Sequence, residues 1–503
     1  MQKAVETSAD DSPHAVRTLA SGQVKGTCTD GICTFLGIPY AAPPIAANRF
    51  KKPQPPSNWS GVRDATEKGD CAPHQIRDFP SIDIVPLVGS GGLGGEDYLT
   101  LNICTPAEAT DRPVMVWIHG GGFVVGSKDA AIHDGTEFAR SGVVCVAINY
   151  RLGIDGFLPI PGVPTNLGLR DMLAALKWVQ ENVGAFGGDP SNVTVFGESA
   201  GGMAIADLVT SPLADGLFKR AIVQSGHGAM VREIDVARRL VRKLARILRI
   251  SPDVTGFSKV SAESAWAGMQ KIAKPFARID LRDAQGHEPV FGISRFVPVY
   301  GDDVLPEKPI DALKKGAGRA VDLLIGTNAS EMNLYFVPTK VREKAPRFLL
   351  KWLLRKSHPR AGEVLRAYGW GRDKKPGHAF TEALHDLVFR WPARRFAEEH
   401  QGRTYVYEFD WHSPACDGEL GASHGMELPF VFKTLAVATG PKGLLGEEPP
   451  LELANRMHRI WVDFATDGTV PWPEFKRDHR TVELFGSDRT IIEPPMPAAR
   501  YLP

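Results

Sequence analysis

Cysteine is scarce in this 503-residue chain: there are 6, and they do not fall at the close, regular spacings of a disulfide scaffold. Net charge is missing too. With 59 Lys and Arg against 58 Asp and Glu, the formal +1 gives no global argument for nucleic acid or an anionic surface as partner. No run approaches the roughly 18 consecutive apolar residues of a membrane span. The start, Met1–Asp11, lacks the apolar centre of a secretory signal. That absence points to a cytoplasmic protein, or to a secreted or periplasmic one if Met1 is a cloning start on a trimmed precursor. No Gly/Ser-rich or Pro-rich linker, repeat or low-complexity tract divides the chain. It reads as one unit over 15–503, with cap or lid insertions at 230–320 and 335–400 and a flexible start at 1–14. What remains is 43% apolar sequence, enough for a large core.

Two cysteines stand out. Cys28 and Cys33 flank Thr29-Asp30-Gly31-Ile32, where Asp-Gly predicts a two-residue hairpin that sets the sulfurs opposite each other. A cross-strand bridge is geometrically allowed there; in a reducing compartment the pair is expected as free thiols. A metal site would need a second ligand pair, and none is evident. Cys104 and Cys145 lie in apolar runs and read as buried thiols.

Gly197-Glu198-Ser199-Ala200-Gly201 follows the apolar run Asn192–Phe196 and precedes a helix-like stretch, Gly202–Leu208. Glycines two residues either side of a serine allow a sharp strand-to-helix turn that leaves the hydroxyl exposed at its tip. Some eighty residues upstream, Val114–Ile118 runs into His119-Gly120-Gly121-Gly122-Phe123. An unbroken apolar run reads as a strand covered on both faces. Glycines beyond it let backbone N–H groups approach a substrate, and such donors stabilise the oxyanion of acyl transfer. Gly121, Gly122 and Ala200 are the candidate donors. His119 reads as structural rather than as a base.

Further strand-like segments recur at Val143–Asn149, Ala221–Gln224, Leu323–Gly326 and Tyr405–Phe409, with helical spacing between them, clearest in Leu169–Val183. Alternating buried strands and helices predict an α/β fold: a mainly parallel sheet covered on both faces, with antiparallel N-terminal strands at one edge. Sites in such sheets form beyond the carboxyl ends of the strands. A nucleophilic serine needs a histidine base and a carboxylate that orients it, in the chain order Ser, Asp/Glu, His. Glu331, just past Leu323–Gly326, and His424, in a late loop of small residues, fit that order; Asp417, Glu419 and His412 are rivals.

The motifs extend along nearly the whole chain: Phe35–Pro44 with Arg49-Phe50, Glu96–Asn102, the His119 glycine loop, Asn149–Gly153, Phe186–Pro190 leading into Gly197–Gly202, Gln224–Gly226 and Glu427–Phe432. In these the chain resembles the type-B carboxylesterase and cholinesterase family of α/β hydrolases, on its bacterial side, which includes the para-nitrobenzyl esterases. The resemblance implies Ser199 as nucleophile, Glu331 as acid, His424 as base, and Gly121, Gly122 and Ala200 as oxyanion donors. It places Glu198 and Ser225 in support of the site, and Phe291 and Phe296 in the stretch Phe291–Val299 that resembles an acyl pocket. His227 and Phe123 are further candidates for the pocket or its support.

Three departures from the family pattern follow. Tyr98 stands where the family usually carries a cysteine, so the common bridge to the position of Cys71 cannot form; the loop Cys71–Glu96 holds no tryptophan, so the choline-recognising wall is missing. Gly292 and Ser294 stand where cholinesterases carry aromatics, which implies a roomier acyl side. The expectation is a serine carboxylic-ester hydrolase working through an acyl-enzyme on small to medium uncharged esters, with water as co-substrate and no metal or cofactor. An amide, carbamate or long-chain acylglycerol hydrolase on the same machinery is the alternative, with a non-enzymatic binding module behind it. Between Lys340 and Arg360, eight Lys/Arg and one acid interleave with apolar residues. That stretch reads as a cap helix with a solvated basic face, or as a lid that meets lipid.

Overall fold

The computed structural model describes residues 14–76, 79–274, 276–288 and 294–502. Phe291 and Gly292 of the acyl-pocket stretch, and all but the last residue of the start at 1–14, lie outside the described residues. The main sheet takes β1 (His14–Leu19), β2 (Gly22–Thr29), β3 (Ile32–Pro39), β4 (Val62–Asp64), β5 (Thr100–Pro106), β6 (Arg112–Ile118), β7 (Val144–Ile148), β8 (Gly188–Glu198) and β9 (Arg220–Gln224). After a small separate pair, β10 (Arg232–Glu233) with β11 (Val299–Tyr300), it continues through β12 (Asp322–Asn328), β13 (Thr404–Phe409), β14 (Thr481–Leu484) and β15 (Arg489–Ile492). The order across the sheet is β1-β2-β3-β5-β7-β6-β8-β9-β12-β13-β14-β15, with β4 beside β2. From β7 through β14 every neighbour is parallel. The strands β1, β2, β3 and β5 form the antiparallel edge expected from the sequence.

The central strands are apolar throughout because each feeds two cores. Along β6, Val114, Val116 and Ile118 face one core, while Met115 and Trp117 face the other. Strand β7 divides likewise, with Val144, Val146 and Ile148 on one side and Cys145 and Ala147 on the other. Helices cover both faces, among them Leu167–Asn182, which buries Leu169, Leu173, Leu176 and Val179 as its spacing predicts.

The stretches expected as insertions carry further helices, including Ile234–Leu248, Ala262–Ala273, Arg347–Ser357, Pro376–His385 and Trp391–Glu399. The basic helix Arg347–Ser357 buries Leu350 and Leu354 and leaves Phe348 and Trp352 exposed. No helix among the described residues is long and apolar enough to cross a membrane. Cys28 and Cys33 pair directly across the β2–β3 hairpin, as the Asp-Gly turn requires, and are bridged rather than free thiols. Cys71 is free, and Cys104 and Cys145 are buried thiols.

One buried ion pair ties the edge strands to this body. Arg151 Nε and Nη2 donate to the two oxygens of Asp171 at 2.8 and 2.6 Å, and Nη1 donates to Lys51 O at 2.7 Å. Both side chains are sealed from water. Replacing Arg151 by Met would strand a buried carboxylate, so Arg151→Met is expected to lower stability by about 3–5 kcal/mol. The measurement is the urea unfolding midpoint, and an unchanged midpoint would refute the assignment.

Candidate active site

Strands β6, β8, β9, β12 and β13 run parallel, so the residues following each arrive at one edge of the sheet. Ser199 follows β8 directly, and the helix Ala200–Val209 begins after it. Its backbone sits at φ +55°, ψ −123°, a conformation that non-glycine residues rarely adopt. Gly201 permits the turn: a Cβ there would lie 2.0 Å from Ile118 O, inside the end of β6. Hydrogen bonds from Ser199 N to Gln224 O, 2.9 Å, and from Met203 N to Ser199 O, 2.8 Å, fix the corner.

The glycine loop after β6 passes beside it. A Cβ on Gly120 would come within 2.7 Å of Glu198 Oε2 and 3.1 Å of Ser199 Cβ. Gly121, at φ +105°, closes a tight turn in which its carbonyl accepts from the N–H groups of Val124 and Val125. The N–H groups of Gly121, Gly122 and Ala200 donate to no other group among the described residues. His119 is withdrawn from the cavity: it stacks on Tyr150 with ring centroids 4.5 Å apart, and burial lowers its pKa to about 3.

His424 and Glu331 meet on the other side. His424 Nδ1 lies 2.6 Å from Glu331 Oε2, so it donates to the carboxylate and leaves Nε2 as the free nitrogen. Glu331 Oε1 accepts from Ser225 Oγ at 2.7 Å and from Asn328 N at 2.8 Å. A second buried carboxylate braces this arrangement. Glu427 accepts from Asn328 Nδ2 at 2.6 Å and from Gln224 Nε2 at 3.1 Å, while Trp461 Nε1 donates to Gln224 Oε1. The rings of Phe389 and Tyr335 pack against the imidazole.

Ser199, His424, Glu198, Gly121 and Gly122 line one cavity of about 310 Å³, whose other walls are mostly apolar, among them Phe79, Leu87, Trp266, Met269, Phe296 and Leu334. Ser294 and Phe296 line it as the acyl-pocket resemblance implies, and Ser225 supports it through Glu331. Two expected residues do not line it. Phe123 is wholly buried behind the glycine loop against Phe157, and His227 faces a separate cavity with Nε2 donating to Val388 O at 2.7 Å. Both follow glycine motifs that turn the backbone, so the side chains point away from the groups their backbones position. The rivals Asp417, Glu419 and His412 are exposed, and Glu419 pairs with Arg342. Sequence reasoning missed Asn328, Gln224 and Glu427 as braces; Asn328 and Glu427 each lie three residues from a predicted site residue, at a strand end and a loop turn.

Glu198 adds a coupled charge. Its Oε1 lies 3.0 Å from His424 Nε2, without the geometry of a hydrogen bond. Burial pushes the Glu198 carboxyl up to about 8. For His424 burial works downward, but the carboxylates of Glu198 and Glu331 outweigh it and lift the imidazole to about 9. The two groups therefore compete for one proton, and while Glu198 holds it Nε2 is a free base.

A parallel sheet with a nucleophile elbow, a glycine loop and an acid–imidazole pair at one edge defines an α/β hydrolase. The carboxylesterase family model matches residues 13–490, and the chain belongs to that family: it is a serine carboxylic-ester hydrolase by class. It is 37% identical to the para-nitrobenzyl esterase of Bacillus subtilis, over 96% of this chain and 97% of the relative. Identity to the phenmedipham hydrolase of Pseudarthrobacter oxydans is 33%, over 93% and 94% of the two chains. Among solved structures, the Geobacillus stearothermophilus carboxylesterase superposes with a TM-score of 0.82 at 31% identity, covering 97% of this chain and all of the other (100%).

Catalysis by His424 as a base requires its neutral form. Glu198→Gln removes a negative charge that favours the imidazolium, so the imidazole should lose its proton at lower pH. The acid limb of kcat/KM is expected to move to lower pH in Glu198→Gln. A pH–rate profile on a neutral 4-nitrophenyl ester measures it, and a shift to higher pH would contradict the coupling.

Proposed function

We propose that the protein cleaves carboxylic esters through an acyl-enzyme on Ser199, with His424 as base and Glu331 as the group that orients it. His424 Nε2 takes the Ser199 proton as the oxygen attacks the ester carbonyl. The N–H groups of Gly121, Gly122 and Ala200 receive the oxyanion, an interaction worth about 3–4 kcal/mol of barrier per donor. The imidazolium then returns its proton to the departing alcohol. Water enters, gives a proton to Nε2 and attacks the acyl carbonyl, and collapse releases the acid and restores the serine. Every step uses side chains and backbone amides of this chain, the ester and water.

The reading rests above all on one observation: the 2.6 Å contact of Nδ1 with Glu331 leaves Nε2 on the side where Ser199 and the glycine loop line a common cavity. The apolar walls favour small to medium esters that present hydrocarbon or aromatic surface. Tyr335 and Phe389 shield the imidazole from bulk water, which strengthens its interaction with Glu331.

Ser199→Ala is expected to lower turnover of a 4-nitrophenyl ester by roughly 10⁶ if the three residues act as a unit. A fluorophosphonate should add its mass to the peptide holding Ser199 in the unaltered enzyme and to nothing in the variant. A loss of turnover below about tenfold, or labelling elsewhere, would end this assignment.

A further inference from the structure

The cavity that holds Ser199 shares one wall residue, Arg295, with a neighbouring surface depression of about 490 Å³. Five cations, Arg278, Arg282, Arg295, Arg355 and Lys356, line that depression against two carboxylates, Asp280 and Glu288. Asp280 is occupied by Arg282, 2.8 Å away. Glu288 serves two guanidinium groups at once, Arg232 at 3.3 Å and Arg295 at 3.1 Å. Arg232 and Glu288 are buried and Arg295 is largely so, which leaves this cluster with one positive charge more than it can neutralise, inside the wall of the cavity.

The surplus continues outward. The side chains of Arg278 and Arg355 have no ion pair or hydrogen bond among the described residues, and Lys356 rests over the Trp352 ring, 3.5 Å from its centroid. The surplus charge of the buried cluster is unfavourable until an anion arrives, whereas Arg278 and Arg355 are exposed and add only an attractive field around it. A guanidinium whose other edge is free suits a carboxylate, which it can grip through two parallel hydrogen bonds. Arg295 stands at the junction, so a molecule whose anion it holds has its other end within reach of the cavity that Ser199 lines. That geometry favours a charged substrate over a lipid surface, which would meet the outer cations without entering the cavity.

We propose that, beyond uncharged esters, the enzyme takes esters bearing a carboxylate at the end remote from the scissile bond, held by Arg295 with Arg355 and Lys356. The proposal rests on the hydrolase reading and adds the substrate's charge to it. The apolar cavity receives the reacting carbonyl and a chain of a few bonds, and the carboxylate emerges into the basic depression.

The test compares two probes, the 4-nitrophenyl monoester of adipic acid and 4-nitrophenyl hexanoate, which share the chain length of the acyl group and differ in the terminal carboxylate. One charge-assisted contact should favour the anionic ester by about tenfold in kcat/KM. The gain is expected mainly in KM and should shrink as salt is raised. The ratio of the two esters should fall in Arg295→Gln. It should fall too in the double variant Arg355→Gln with Lys356→Gln, which leaves the buried cluster intact. Equal turnover of the two esters, or a preference that both variants retain, overturns the proposal. So does binding to phosphatidylglycerol vesicles that those variants abolish while the ester ratio stays unchanged. Hydrolysis of the neutral ester alone defeats only this proposal, whereas hydrolysis of neither ester defeats the acyl-enzyme reading as well.

Discussion

Glu331 and His424 touch at 2.6 Å in a place from which water is excluded, and the arrangement at this edge of the sheet follows from that contact. In a dry site a carboxylate must be satisfied by fixed donors, because solvent cannot supply them. Glu331 has three: the imidazole, the Ser225 hydroxyl and the Asn328 amide. With its lone pairs so directed, the carboxylate holds one tautomer and one orientation of the ring. Glu427, buried and hydrogen-bonded to Asn328 and Gln224, fixes the strand ends from which those donors come. The same Gln224, at the end of β9, accepts the Ser199 amide through its carbonyl, so the strand between β8 and β12 links the nucleophile to the acid–base pair. A displacement of either strand end would be felt on both sides of the cavity.

The glycines act on the same geometry from the other direction. Ile118 O, at the end of β6, would collide with a side chain at Gly201, so strand and elbow approach as closely as bare backbone allows. That proximity brings the loop after β6 against Glu198 and Ser199, and among the described residues it leaves the N–H groups of Gly121, Gly122 and Ala200 without partners. Unpaired donors are unfavourable in a folded protein, and they persist here because the surrounding strands over-determine the turn. The left-handed backbone at Ser199 belongs to the same strain.

Legibility in the sequence divided along physical lines. The central strands announced themselves because a strand buried on both faces must be apolar at every position, as in β6 and β7. The elbow and glycine loop were readable because steric demands at Gly201 and Gly121 leave few substitutes. Glu331 and His424 were legible only in part from position in the chain, since fourteen histidines offered rivals and their convergence depends on β12 and the loop after β13 ending side by side. Phe123 and His227 show the opposite failure. Each sits beside a motif, yet side-chain direction depends on the turn, and the turn sends both away from the Ser199 cavity. The Cys28–Cys33 pairing was visible in the hairpin, whereas whether the sulfurs join depends on redox surroundings that residue order does not encode.

What no local pattern could reveal is the charge of the cavity wall. Arg232 opens β10, while Glu288 and Arg295 lie some sixty residues later, and the pairing of β10 with β11 brings the three together across the intervening helices. A whole-chain charge of +1 hides this, since the excess is local and its compensation lies elsewhere on the surface. The sheet thus supplies a reaction centre whose parts are dictated by sterics and hydrogen bonding. The segments between β4 and β5, between β9 and β12, and between β12 and β13 supply the wall. The ion pairs of Arg232 and Arg295 with Glu288 close among themselves, so these charges can change without disturbing the strand ends that hold Ser199, Glu331 and His424. Selectivity and chemistry then reside in separate layers of one chain, with Arg295 at the boundary between them.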